Sequence, residues 1–180
     1  DSGEIQYTSS GLSGIPVFQV SRFAGKAIAE GKTVAAELDL LPDMTREDVL
    51  GFLTVSRTEH PGLTAVNVLS GIMNKKLSAA VLYKCGVPYG EEIAGLSKRE
   101  VYRLVNALKG ITFKITGTAG FEDSQVTAGG VSLAEVDPET MMSRIVNGLY
   151  ITGELLDVEG ICGGNNLHFA WATGIMAGQN

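Results

Sequence analysis

The residues best suited to chemistry lie near the carboxyl end of the chain, where two acidic side chains precede a glycine pair. Glu154 and Asp157 follow a short apolar run at 149–152, and Gly163-Gly164 lead into an apolar stretch. The order predicts a buried strand at 149–152, a glycine-rich turn and then a helix. Such a turn offers unpaired backbone N–H groups and the positive end of a helix dipole to a polar or anionic ligand. The acidic residue at the strand end is placed to accept a hydrogen bond from a sugar-like hydroxyl chain.

A second glycine pair, Gly129-Gly130, interrupts an apolar segment at 125–133 that is otherwise typical of an extended strand. Glycine weakens a strand unless a bulge or a closely approaching group needs the space. Two interpretations therefore stay open for this segment, a ligand that lies against the backbone and a simple bulge or turn.

Composition and spacing exclude several other classes of site. The chain carries 14 Lys and Arg against 20 Asp and Glu, a net charge of −6, which argues against a nucleic-acid or anionic-membrane surface. Cys85, Cys162, His60 and His168 form no short-spaced zinc pattern, so no metal site is predicted. Two distant cysteines favour a reducing cytoplasm. The apolar stretch at 167–178 is too short to cross a bilayer, so we predict that it is a core helix.

The hydrophobic periodicity divides the chain into three sections. Alternating residues predict strands at 4–8, 34–40 and 111–116, and a helix with Ser13 as its cap fills the interval up to Gly31. Helical spacing predominates at 45–109, where Thr45 and Ser97 begin cap-like segments. The prediction is an α+β fold, with a partial barrel at 1–44 and 110–124, a helical insert at 45–109 and a strand–helix unit at 125–180.

Three motifs together resemble a known family. They are Val126-Thr-Ala-Gly-Gly-Val131, Gly148-Leu-Tyr-Ile-Thr-Gly-Glu-Leu-Leu-Asp157 and Gly160-Ile-Cys-Gly-Gly-Asn-Asn-Leu167. The set resembles the BaiN-type, aminoacetone-oxidase-like flavoproteins, and the segment at 7–16 is similar to that family's T-x-x-G-I-S-G-P segment. The resemblance implies a small barrel with a helical subdomain, followed from about residue 125 by the returning strand–helix part of a dinucleotide (FAD)-binding α/β domain.

The resemblance also implies three groups of residues that contact the flavin. Those beside the isoalloxazine ring are Gly129, Gly130 and Val131. Those near the ribityl or pyrophosphate region are Gly153 and Glu154. Those facing the pyrimidine edge of the ring are Gly163, Gly164, Asn165, Asn166 and the N–H of Leu167. Asn165 stands where the family usually has an aromatic residue, which leaves the substrate side less defined than the cofactor side.

The family's other half-site is missing from these residues. No G-x-G-x-x-G motif opens a strand, turn and helix, so the adenosine and pyrophosphate cradle is absent. We therefore expect a piece of a longer FAD-dependent oxidoreductase that passes hydride or electrons to or from a small organic substrate. Its expected partner is an amino-terminal dinucleotide-binding domain. No catalytic acid or base is identifiable, and the alternative is a non-catalytic interaction module without a cofactor.

Overall fold

The computed structural model describes residues 1–180, which divide into two compact units. The first unit comprises Asp1–Val34 and Ile115–Asn180, and the second, here called the helical unit, comprises Ala35–Lys114. Six α-helices and two small sheets confirm the predicted α+β class. None of the helices combines the length and the apolar character that a membrane span needs.

The first unit begins with a hairpin and a helix. Strand β1, Gln6–Thr8, pairs antiparallel with β2, Gly11–Ser13, and helix α1 covers Ile15–Ala29. The predicted helix is confirmed, but its predicted cap is wrong, because Ser13 lies in β2 and Gly14 is the N-cap. Gly14 has a φ of 113°, and a Cβ there would collide with the carbonyl oxygen of Glu4. Glycine is thus required where α1 leaves the hairpin.

The carboxyl-terminal part of the first unit is built from turns and one helix. Short 3-10 turns form at Phe121–Asp123, Leu133–Glu135 and Gly153–Leu155, and helix α6 covers Asn165–Gly178. A small core of Val136, Met141 and Leu156 is covered by partly buried apolar side chains, among them Phe169 of α6. This core holds α6 against the turns that precede it.

Two strands predicted in this region are wrong. Residues 149–152 form only an isolated antiparallel bridge, Met142 with Tyr150, and Leu149 is 45% exposed. Residues 125–133 form only an isolated parallel bridge, Val131 with Leu156. An apolar run becomes a strand only when neighbouring strands satisfy its backbone groups, and here each segment has a single pairing.

The helical unit holds four helices behind a two-stranded sheet. Strands β3, Val34–Leu38, and β4, Ile111–Ile115, pair with each other and carry the chain into and out of this unit. Between them lie α2, Arg46–Glu59; α3, Ala65–Leu69; α4, Lys75–Lys84; and α5, Lys98–Leu108. The predicted stripe on α5 is confirmed as core, since the side chains of Leu104 and Leu108 are fully buried.

Two capping boxes fix where α2 and α5 begin. Thr45 accepts a hydrogen bond from the N–H of Asp48, whose carboxylate accepts in return from the N–H of Thr45. Ser97 and Glu100 repeat the arrangement on α5. The cap hydroxyls and N–H groups lower the pKa of both carboxyls, because they stabilise the charged form. The sequence prediction of these two helix starts is therefore confirmed.

Candidate functional site

The amino end of α6 presents a run of free backbone donors. Gly163 and Gly164 have φ values of 121° and 94°, and Gly164 is the N-cap of α6. The N–H groups of residues 163–167 make no hydrogen bond of ordinary length and angle within the protein. Left-handed glycines followed by a helix start direct successive N–H groups outward, where the helix dipole adds partial positive charge. The turn thus forms an exposed cradle for an acceptor or an anion.

Two asparagine side chains hold this turn in shape. The N–H of Gly160 donates to Oδ1 of Asn166 at 2.7 Å, and Nδ2 of Asn165 donates to the carbonyl of Ile161 at 2.9 Å. A Cβ at Gly160 would lie 3.0 Å from both Asn165 Cβ and Asn166 Oδ1, so a larger residue there would displace these side chains. Both side chains therefore bond within the turn, which leaves the backbone N–H groups as its exposed donors.

Glu154 connects two of the predicted segments. Its Oε1 accepts a hydrogen bond from the N–H of Thr127 at 2.6 Å, and its other carboxylate oxygen has no partner in the protein. The preceding residue, Gly153, has a φ of 62° and donates its N–H to Oγ1 of Thr173 at 3.0 Å. Glu154 is thereby fixed between the 125–131 segment and α6, with one oxygen open to a further donor.

The structure gives Gly130 a reason within the protein's own backbone. A Cβ at Gly130 would lie 2.6 Å from the carbonyl oxygen of Leu155 and 2.8 Å from the nitrogen of Asp157. Gly129 has a φ of 93° and no neighbour within 4 Å of a Cβ. The protein's own backbone therefore requires glycine at 130, and the turn conformation favours glycine at 129.

Val131, the third residue of this group, joins the same contact. Its N–H donates to the carbonyl of Leu155 at 2.8 Å, and its carbonyl accepts from the N–H of Asp157 at 3.0 Å. Val131 is partly buried against the core of the first unit. Its backbone is thus fully used within the protein.

A small pocket brings Glu154 and Asn166 together. Its lining residues are Val126, Thr127, Glu154, Val158, Glu159, Asn166 and Phe169. The cavity volume is about 20 Å³, enough for roughly one water molecule. An isoalloxazine ring cannot enter it, so a flavin could contact these residues only from the open side.

Three residues with roles at this pocket were not predicted from the sequence. Arg22 of α1 forms an ion pair with Glu159, and Thr127 supplies the N–H that Glu154 accepts. Glu159 precedes the glycine turn and could have been noticed for that reason. Arg22 could not be identified from a local sequence pattern, because 137 positions separate it from its partner Glu159.

The comparisons with known proteins extend over almost the whole chain. The family model of the HI0933-like protein barrel and H2TH domain matches residues 1–126. The 3-dehydro-bile acid delta(4,6)-reductase of Clostridium scindens is 44% identical over 99% of this chain and 44% of that protein. The ribosomal RNA dihydrouridine synthases of Haemophilus influenzae and Escherichia coli are each 32% identical, over 94% and 97% of the chain.

The chain spans less than half the length of these relatives, at 44%, 40% and 41% of each. The family match nevertheless covers well over half of the chain itself, and it includes the hairpin, α1 and all of the helical unit. The similarity to the reductase continues through the motifs at 126–131, 148–157 and 160–167 that carried the resemblance. The chain therefore belongs to the HI0933-like protein barrel and H2TH domain family, and its BaiN-type resemblance is confirmed.

Proposed function

We propose that this chain is part of an FAD-dependent oxidoreductase in which α6 and the turn before it hold the edge of the flavin ring. The observation that carries the proposal is the run of five free N–H groups at 163–167. Acceptor atoms lie along the pyrimidine edge of a flavin, and negative charge there is stabilised by helix-end donors. A sequence identity of 44% to a reductase supports the same reaction class.

The residues of this chain fit a flavin only along the pyrimidine edge of its ring. The N–H groups at 163–167 are exposed, and one carboxylate oxygen of Glu154 is free for a ribityl hydroxyl or another donor. By contrast, the N–H and carbonyl of Val131 are already bonded, so this residue offers a ring only its side chain. The flavin would supply the hydride or electron transfer, while these residues orient it and stabilise charge on its ring.

We infer a small organic molecule as the substrate. The chain is more similar to the bile acid reductase than to the two ribosomal RNA enzymes, at 44% against 32% identity. Its net charge of −6 also disfavours a large RNA contact, because such binding needs concentrated positive charge. Two free cysteines, Cys85 and Cys162, agree with a proposed cytoplasmic location.

The outer face of α6 is the surface that we propose contacts the rest of the flavoprotein, including its amino-terminal dinucleotide-binding domain. Leu167, Trp171 and Ile175 are 69%, 72% and 56% exposed and follow one side of the helix. They border an open apolar groove of about 430 Å³. The sequence prediction that α6 is a core helix is therefore wrong for this side. An apolar stripe of this kind is typical of a surface that another domain covers.

The test compares two substitutions at Leu167 in the full-length protein. Both variants remove the leucine side chain. Leu167→Pro also removes the backbone N–H, and proline is tolerated in the first turn of a helix, whereas Leu167→Ala keeps the N–H. Titration of the apo-protein with FAD should give about tenfold weaker binding for the proline variant than for the alanine variant, the size of one charge-assisted hydrogen bond. Equal affinities would remove this N–H from the site. A full-length wild-type protein that binds no flavin would favour the non-catalytic interaction module.

A further inference from the structure

We propose that Arg22 is a positioning residue, which acts through Glu159 to hold the 160–167 turn in the shape that presents its donors. The inference rests on the proposed function, since it assigns the turn its role toward the cofactor. Arg22 belongs to α1, and none of the motifs that carried the family resemblance contains it.

Arg22 is well anchored on its own helix. The start of α1 is fixed by Gly14, where only glycine fits against the backbone of Glu4. The guanidinium of Arg22 lies 4.7 Å from the centre of the Phe23 ring, which restricts its orientation. The side chain of Arg22 is 41% exposed, whereas that of Glu159 is only 19% exposed. The ion pair thus joins a fixed helix to a largely covered carboxylate.

Glu159 connects Arg22 directly to the turn. The next residue, Gly160, donates its N–H to Asn166 Oδ1 and accepts from Asn166 Nδ2 at 3.5 Å. Asn166 is also the second residue of α6 and one of the five free donors. A displacement of Glu159 therefore moves Gly160 and, through the Asn166 side chain, the first turn of α6.

Arg22 also compensates charge at the pocket. Glu154 and Glu159 both line it. Arg22 forms an ion pair with Glu159, and Glu154 has no cationic partner. Without Arg22, two carboxylates would line a small cavity with no cationic partner, and their repulsion would favour opening of the turn. The same repulsion would act on the negative phosphates of an approaching FAD.

The experiment compares the full-length wild type with three variants: Arg22→Gln, Arg22→Lys and the double variant Arg22→Gln with Glu159→Gln. Lys26→Gln is the matched control, because Lys26 is a cation on the same helix and forms no ion pair. The first readout is hydrogen exchange of the Gly160 amide in the apo-protein, which reports opening of the turn. The second readout is the FAD dissociation constant.

We expect Arg22→Gln to lower the protection of Gly160 and to weaken FAD binding about fivefold, at the low end of measured couplings between sites. Arg22→Lys should restore most of both, Lys26→Gln should change neither, and the double variant should bind FAD no worse than Arg22→Gln. Unchanged protection of the Gly160 amide in Arg22→Gln overturns the inference, whatever the FAD dissociation constant is. Lowered protection with unchanged FAD affinity overturns the link to the cofactor. If the wild type binds no FAD but the Gly160 amide still loses protection in Arg22→Gln, the proposed function is wrong. The role of Arg22 in holding the turn is then still supported.

Discussion

Replacing Gly130 by alanine tests whether the contact between 130–131 and 155–157 holds the carboxyl-terminal part of the first unit together. The added Cβ would lie 2.6 Å from the carbonyl oxygen of Leu155 and 2.7 Å from the carbonyl carbon of Leu156. These are backbone atoms, so no side chain can rotate away to make room. One of the two chain segments has to move.

The expected cost follows from what that movement breaks. Val131 exchanges two backbone hydrogen bonds with Leu155 and Asp157, and each contributes about 1 kcal/mol. Leu156 is 2% exposed in the small core, and forcing extra volume against a packed core costs about 1–3 kcal/mol. We expect Gly130→Ala to lower the free energy of unfolding of the first unit by about 3–5 kcal/mol.

Gly129→Ala is the matched control in the adjacent residue. A Cβ there meets nothing within 4 Å, so its cost is the left-handed backbone alone, about 1–2 kcal/mol. Urea unfolding followed by circular dichroism gives both values, and hydrogen exchange at the Val131 and Asp157 amides locates the change. If Gly130→Ala is no more destabilising than Gly129→Ala, the close backbone contact is wrong, and an external ligand again becomes the reason for a glycine at 130.

Three further predictions concern the helical unit and the proposed cofactor contact. Leu104→Ala should cost about 2–5 kcal/mol in urea unfolding because its side chain is fully buried, whereas the half-exposed Val55→Ala should change stability by less than about 0.5 kcal/mol. The lowered pKa values of Asp48 and Glu100 stabilise the helical unit above their ordinary values of 3.8 and 4.5, and this contribution is lost as the pH falls through the lowered values. Unfolding curves from pH 2 to 7 should therefore show a smaller acid loss in Asp48→Asn combined with Glu100→Gln, and an unchanged loss would contradict the capping argument. Glu154→Ala in the full-length protein should weaken FAD binding by about 1–3 kcal/mol with the fold intact, and equal flavin affinity would exclude this carboxylate from the site.

The helical unit could be predicted from the sequence because its determinants are local. The hydroxyl and the carboxylate of each capping box are three positions apart, so Thr45 with Asp48 and Ser97 with Glu100 mark α2 and α5 directly. The apolar stripe of α5 repeats at helical spacing and is buried as predicted. Strands β3 and β4 were found for the same reason, from alternation within a few residues.

The carboxyl-terminal part could not be predicted as well, because its contacts join distant residues. Val131 pairs with Leu156, and Arg22 pairs with Glu159 across 137 positions. No local pattern distinguishes an apolar run that finds strand neighbours from one that makes a single bridge. Apolar type alone also did not separate Val126 and Trp171, which are 46% and 72% exposed, from Val131 and Phe169, which pack against the small core.

The glycines of the candidate site illustrate why residue type alone did not separate a donor turn from an internal backbone contact. Gly130 is required by an internal backbone contact, and Gly153 by a left-handed φ and by α6, whose Ala170 Cβ would lie 3.2 Å away. Only at Gly163 and Gly164 does the left-handed conformation lead to a series of N–H groups without acceptors. The turn before α6 therefore carries the cofactor proposal, while Gly130 and Val131 contact the backbone at 155–157. Since the adjoining pocket holds only about 20 Å³, we propose that the flavin edge contacts this turn from its open side.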